Sequence, residues 1–128
     1  IRLNNELISD LCEQERRTSE AVLVPIISPF RESRQKAREK LSPGFFEIFI
    51  RANLEEVRDR DVKGLYAKAE RGEILPMIGT SDELPFEPPM SPDCTIDTNS
   101  ASVEESALKL YRFISDQLAL AEDQIQPQ

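Results

Sequence analysis

Two short apolar runs set the terms for this fold: Ala21-Val22-Leu23-Val24-Pro25-Ile26-Ile27 and Phe45-Phe46-Glu47-Ile48-Phe49-Ile50. Neither alternates apolar with polar residues, as a strand with one wet face would. Continuous runs of this kind suit strands covered on both faces, as in a parallel sheet. The spacing therefore predicts strands over 21–27 and about 46–51, joined through a helix over 30–41. That helix carries Arg31, Arg34, Lys36, Arg38 and Lys40 against Glu32 and Glu39.

The remaining segments fit the same plan. Residues 3–17 read as a helix whose Leu3, Leu7 and Leu11 recur at i, i+4 spacing and form its expected buried face. Ser42-Pro43-Gly44 is a turn. Asn53 followed by Glu56 is an N-cap signature and opens a helix over about 54–60. A further helix over 64–71 ends at Gly72. Residues 75–92 hold five of the nine prolines and read as an irregular loop. A short third strand is expected over 93–97. Ser102 and Glu105 form a capping box ahead of a last helix striped by Val103, Ala107, Leu110, Ile114 and Leu118. Alternating strands and helices make this an α/β fold with a mostly parallel sheet. Residues 1–122 are expected to form one domain and residues 123–128 a flexible tail.

Composition narrows the function. The net charge is −8, and it is unevenly spread: residues 1–73 are neutral, while residues 74–128 hold 2 basic and 10 acidic side chains. An acidic chain lacks the basic face that supplies most of the affinity for nucleic acid, so no nucleic-acid partner is expected. The longest apolar run has seven residues against the roughly 20 needed to span a bilayer, so no membrane partner is expected either. There is no histidine, which removes histidine triads, histidine metal sites and imidazole proton shuttles. Cys12 and Cys94 alone cannot build a four-cysteine zinc site, and so few cysteines suit the reducing cytoplasm. The chain starts at Ile1 rather than Met, so a segment is expected upstream.

Two motifs could carry chemistry. Ser28-Pro29 stands between an expected strand and a helix. Ser at the N-cap and Pro at the first helical position would serve structure alone. The same geometry offers free N–H groups to an anion beyond the carboxyl end of a strand. The second motif is Arg60-Asp61-Val62-Lys63-Gly64-Leu65-Tyr66, continuing through Lys68, Arg71 and Gly72-Glu73. It serves either as a solvated amphipathic helix or as a basic lid over phosphates, hinged at glycine.

Taken in order, Ile27-Ser28-Pro29-Phe30-Arg31, Phe46-Glu47-Ile48-Phe49, Arg60 to Tyr66, Gly72-Glu73-Ile74 and Ser102-Val103-Glu104-Glu105 resemble the adenylylsulfate kinase family over residues 1–118. The resemblance implies a P-loop kinase-like parallel sheet flanked by helices. The strand feeding the P-loop is absent from this chain and is expected upstream of Ile1. It also implies transfer of the γ-phosphoryl group of ATP, with Mg2+, to the 3′-hydroxyl of adenylylsulfate. By the same resemblance Ile27, Ser28, Lys63 and Met77 contact the acceptor. Ser28 matches a serine to which the family attributes a phosphorylated intermediate, and Lys63 matches the lid lysine near the phosphosulfate. Arg60 and Ala101 lie beside the ATP adenine. No residue of this chain is assigned to a metal. A homodimer and an ATP sulfurylase, fused or separate, are the implied protein partners.

The chain also departs from the family pattern. It contains no Gly-x-x-x-x-Gly-Lys-Ser/Thr, and its only glycines are Gly44, Gly64, Gly72 and Gly79. Paired arginines of the first helix become Arg2-Leu3. Ala67, Glu70 and Leu75 occupy positions that are usually basic, and Met77 replaces an aromatic residue. These changes keep two further readings open: a related kinase acting on another nucleotide-linked acceptor, and a non-catalytic regulatory domain with the kinase fold.

Overall fold

The computed structural model describes residues 1–125, with side chains through Glu122. The elements run α1 (Arg2–Glu15), α2 (Arg31–Leu41), β1 (Ile48–Arg51), α3 (Leu54–Arg60), α4 (Leu65–Glu70), β2 (Cys94–Asp97) and α5 (Val103–Ile125). The tail expected at 123–128 is met by helix as far as Ile125, and its remainder, 126–128, lies outside the described residues.

β1 and β2 pair in parallel, with Ile48 opposite Cys94 and Arg51 opposite Asp97. The long α3–α4–loop connection between them carries the crossover that a parallel pair requires. Ile96, on β2, is 1% exposed and is the most deeply buried large apolar side chain described. α5 packs on β2, and Phe113 of α5 meets Phe46 edge-on, ring centroids 5.7 Å apart.

Local chemistry explains the helix starts that the sequence predicts. The Asn53 side chain accepts the Glu56 N–H at 2.8 Å and caps α3. Ser102 and Glu105 bond reciprocally, Glu105 N–H to Ser102 Oγ at 3.1 Å and Ser102 N–H to Glu105 Oε2 at 2.8 Å. Both arrangements satisfy N–H groups that a helix leaves without partners in its first turn.

Three expectations are corrected. Residues 21–27 form no strand: the bond within the segment is Ile26 N–H to Val24 O, and β1 pairs only with β2 among the described residues. A strand exists by virtue of a neighbouring ladder, and here no neighbour lies alongside. The second strand begins at Ile48, two residues later than its apolar run suggests. Third, α1 points the other way round. Leu3, Leu7 and Leu11 are each more than half exposed, whereas Asn5, Ser9 and Cys12 are buried.

The packing of α1 on α2 accounts for that inversion. α2 buries Ser33 and Leu41, so small side chains on both helices face inward and allow close approach. Ion pairs then join the flanks: Arg2 with Glu32, Lys36 with Glu6, and Lys40 with Asp10. The Arg2 guanidinium also sits 4.2 Å over the Phe30 ring, a cation–π contact.

Because Ile96 carries so much of a small apolar core, its truncation should be felt. Ile96→Ala is expected to cost about 2–5 kcal/mol, read as a fall in the urea midpoint of the full-length protein with an unchanged m-value.

Candidate functional site

The segment 21–28 ends at Ser28, which is held from two sides. Its hydroxyl accepts Asn5 Nδ2–H from α1 at 2.9 Å, and its carbonyl accepts Arg34 Nη1–H from α2 at 2.6 Å. A hydroxyl has a proton of its own to donate. Among the described residues that proton has no acceptor.

Ser28 does not cap α2, contrary to expectation. The N-cap position is Phe30, and the carboxylate at this helix end comes from Glu87, whose Oε2 accepts Arg31 N–H at 2.7 Å. Glu87 N–H in turn donates to Pro29 O at 2.8 Å. A carboxylate at a helix N-terminus is favoured by both the orphan N–H groups and the helix dipole. Its presence means that the Arg31 N–H is occupied rather than open to an anion. No local pattern could reveal this, since the capping residue is 56 positions away in a proline-rich loop.

Arg34 joins this loop to the sheet. Its Nε donates to Glu47 Oε1 at 2.5 Å and its Nη2 to Glu87 O at 2.7 Å. Nearby, Arg38 bonds Asp93 Oδ2 at 2.5 Å, and Asp93 also accepts the Glu47 N–H at 2.7 Å. Burial by itself would raise the Asp93 carboxyl, but Arg38 and the Glu47 N–H outweigh it and hold it below its ordinary value.

The second motif folds into a capped turn. Gly64 takes a left-handed conformation, φ 65°, as the N-cap of α4, a backbone shape that favours glycine. The Asp61 carboxylate reaches forward to accept Tyr66 N–H at 3.1 Å and Ala67 N–H at 3.0 Å. The Ala67 N–H, followed by those of Tyr66 and Leu65, holds the Asp61 carboxyl below its ordinary value against a smaller opposing effect of desolvation. Lys63, between cap and hinge, is exposed and makes no hydrogen bond or ion pair among the described residues. Asp61 stands inside the motif, and its place five residues before Tyr66, across a glycine, is the sequence signal for this cap.

Arg60 lies at the carboxyl end of β2. Arg60 Nη2 donates to the carbonyl of Thr98, just past β2 and three residues before Ala101, at 2.5 Å. Asn53 N–H donates to Asn99 Oδ1 at 2.8 Å across the same end of the sheet. Beyond strand ends of this kind lies the usual ligand crevice of an open α/β sheet.

Met77 opens a turn in which Thr80 N–H returns to Met77 O at 3.1 Å. That turn is followed by Phe86, which stacks on Phe49 with centroids 6.1 Å apart. Phe86 separates two cavities. One, of about 720 Å³, is bordered by Ile26, Ile27, Ser28 and Arg34 together with β1 and α5. The other, of about 500 Å³, is bordered by Leu54, Val57, Tyr66, Ile78 and Gly79. Ile27-Ser28 and the α4 segment thus border adjoining spaces that share one aromatic wall. Lys63 and Met77 border neither. Among the described residues, no group of three or more Cys, Asp or Glu side chains lies close enough to hold a metal ion.

A sequence model of the adenylylsulphate kinase family matches residues 2–97. The chain is 48% identical over 94 residues to the adenylyl-sulfate kinase of Halothermothrix orenii, covering 73% of this chain and 49% of that protein. It is 39% identical over 115 residues to the adenylyl-sulfate kinase of Gloeothece citriformis, covering 90% and 63% respectively. The chain spans about half the length of most of the curated relatives it matches. Among solved structures it is similar to the Mycobacterium tuberculosis APS kinase in complex with AMPPNP and APS. The TM-score is 0.77 at 32% identity, over 89% of this chain and 66% of that one. The shared fold is the P-loop kinase type expected from the sequence, helices flanking a small parallel sheet.

The Asp61 cap carries a pH dependence whose sign follows from the depressed carboxyl. The cap stabilises α4 at neutral pH, above the ordinary carboxylate range, and its contribution is lost as pH falls through the depressed value. Amide exchange at Tyr66 and Ala67, corrected for intrinsic rates, is expected to gain protection as pH rises through that window. Asp61→Asn should abolish the dependence.

Proposed function

This chain belongs to the adenylylsulphate kinase family, and on that premise we propose that the protein carrying it transfers the γ-phosphoryl group of ATP to the 3′-hydroxyl of adenylylsulfate. The oxygen–phosphorus bond forms at the 3′-oxygen as the bond to the β-phosphate breaks, releasing ADP and 3′-phosphoadenylylsulfate. The hydroxyl proton leaves to solvent. Transfer of this kind asks the protein for positioning and charge neutralisation rather than covalent chemistry.

The observation that carries the reading is the shared Phe86 wall, with Ile27-Ser28 on one side and the α4 segment on the other. On this reading Ser28 donates its free hydroxyl proton to the acceptor, and Ile27 packs against the acceptor's apolar surface. Met77, a polarisable side chain in place of an aromatic one, covers the acceptor base. Lys63 reaches its phosphosulfate. Arg60 and the Ala101 loop lie beside the ATP adenine. The described side chains form no metal cage, so Mg2+ is expected to arrive bound to ATP, as it commonly is when phosphates supply its ligands. The reaction takes place in the cytoplasm.

The full-length protein, supplied with MgATP, should form ADP in proportion to added adenylylsulfate. AMP and other 3′-hydroxyl nucleotides should support far less. Preference for one of those nucleotides would make it a related kinase with another acceptor. No ADP with any acceptor would favour a binding domain.

Two substitutions test the residue roles. Lys63→Ala should lower kcat/KM for adenylylsulfate by about ten- to hundredfold, the equivalent of a charge-assisted contact worth about 1.5–3 kcal/mol. Its thermal stability should stay within about 0.5 kcal/mol of the parent, as for surface changes generally.

Ser28→Ala removes the acceptor of the Asn5 bond, a loss of about 0.5–1.5 kcal/mol of stability. Its kcat/KM should fall further than the lost folded fraction explains, as steady-state kinetics beside a urea melt will show.

A further inference from the structure

We infer that Arg34 is a positioning residue for the phosphoryl acceptor, setting the distance between the Ser28 turn and the adjoining Phe86–Pro88 segment, both at the border of the larger cavity. The inference rests on the proposed reading of Ile27-Ser28 as an acceptor contact and extends it to a residue outside the cleft's chemistry.

The guanidinium spends each of its three nitrogens on a different segment. Nε donates to Glu47 Oε1 at the entry to β1, Nη1 to Ser28 O at 2.6 Å, and Nη2 to Glu87 O at 2.7 Å. Its Cζ also lies 6.0 Å from the Phe86 ring centroid. The side chain is 11% exposed and its Glu47 partner 16%, so neither member of the pair is loosely solvated.

A planar fork with fixed donor directions converts these bonds into a spacer. Ser28 O and Glu87 O accept from the two terminal nitrogens of one rigid group, so the separation of their chain segments is set by guanidinium geometry. The Glu87 N–H to Pro29 O bond, 2.8 Å, and the Glu87 Oε2 to Arg31 N–H bond, 2.7 Å, close the same link from the other side. Glu47 neutralises the charge and stops the guanidinium from rotating. A lysine could keep the charge but not the three directions at once.

Arg38 provides the control. It stands one turn further along α2, pairs with Asp93 and approaches Glu47, yet it touches neither Ser28 nor Glu87. Loss of either arginine weakens the attachment of α2 to the β1 entry, but only Arg34 bonds both the Ser28 turn and Glu87.

The test compares Arg34→Lys with Arg38→Gln in the full-length protein. Arg34→Lys should raise KM for adenylylsulfate about ten- to hundredfold, the range that misplacement by about 1 Å produces. KM for ATP should move less than about twofold, and Arg38→Gln should leave both KM values within about twofold. Equal effects of the two variants, or a fall in kcat with both KM values unchanged, would overturn the inference.

Hydrogen exchange at the Arg31 and Glu87 amides gives a second readout that needs no turnover. Exchange about tenfold faster in Arg34→Lys and unchanged in Arg38→Gln supports the spacer. Unchanged exchange in both overturns it. Should the parent protein fail to phosphorylate adenylylsulfate, the functional reading falls while this exchange comparison still decides whether Arg34 holds the two walls.

Discussion

The Arg34–Glu47 ion pair is the joint on which the arrangement of this chain depends. Replacing a buried ion pair by well-packed apolar side chains is often neutral or stabilising, but removing one partner leaves an uncompensated charge and costs about 3–5 kcal/mol. Here the pair joins α2 to β1, and the same guanidinium ties in Ser28 and Glu87. Among the described residues the buried apolar side chains are Cys12, Leu41 and Ile96. The tertiary order of α2, the Ser28 turn and the proline-rich loop therefore leans on directional polar contacts. Such contacts specify a spacing, which a purely apolar interface does less sharply.

What the sequence revealed and what it hid divide along a physical line. Caps made within one helical turn were legible: Asn53 on α3 and Ser102 with Glu105 on α5 are local contracts between a side chain and an N–H three residues away. Contracts across the chain were not. Glu87 serves α2 from 56 residues further on, and Ser28, locally a good cap, is drawn instead into bonds with Asn5 and Arg34. The α1 error has the same origin. Periodicity identifies an apolar stripe but not its neighbour: the side of α1 that is buried carries Asn5, Ser9 and Cys12, while Leu3, Leu7 and Leu11 are exposed. Residues 21–27 carry strand composition without strand pairing, because composition cannot supply a ladder partner.

The candidate site was legible to a different degree. Ser28 and the Arg60–Tyr66 motif could be singled out from their residue types and from the family resemblance. Their supports could not, because Arg34, Glu87 and Phe86 look like ordinary members of a charged helix and an irregular loop. Arg60 was paired with Ala101 by resemblance alone. In the structure Arg60 bonds the Thr98 carbonyl, just past β2.

Ion pairs in the Arg58–Glu73 segment divide its cations into paired and unpaired groups. Arg58 is 3.6 Å from Glu70, Arg60 2.8 Å from Glu56, and Arg71 2.5 Å from Glu73, so three of the segment's positive charges already have carboxylate neighbours. Lys63 and Lys68 have none among the described residues. Of these two, Lys63 stands between the Asp61 cap and the left-handed Gly64, where the backbone is fixed while the side chain remains solvated. A mobile ammonium on a fixed base can follow a phosphate through a closing motion without first breaking an ion pair. The acidic replacement at Glu70 therefore does not discharge the lid as a whole. It engages Arg58 and leaves Lys63 without a carboxylate partner among the described residues.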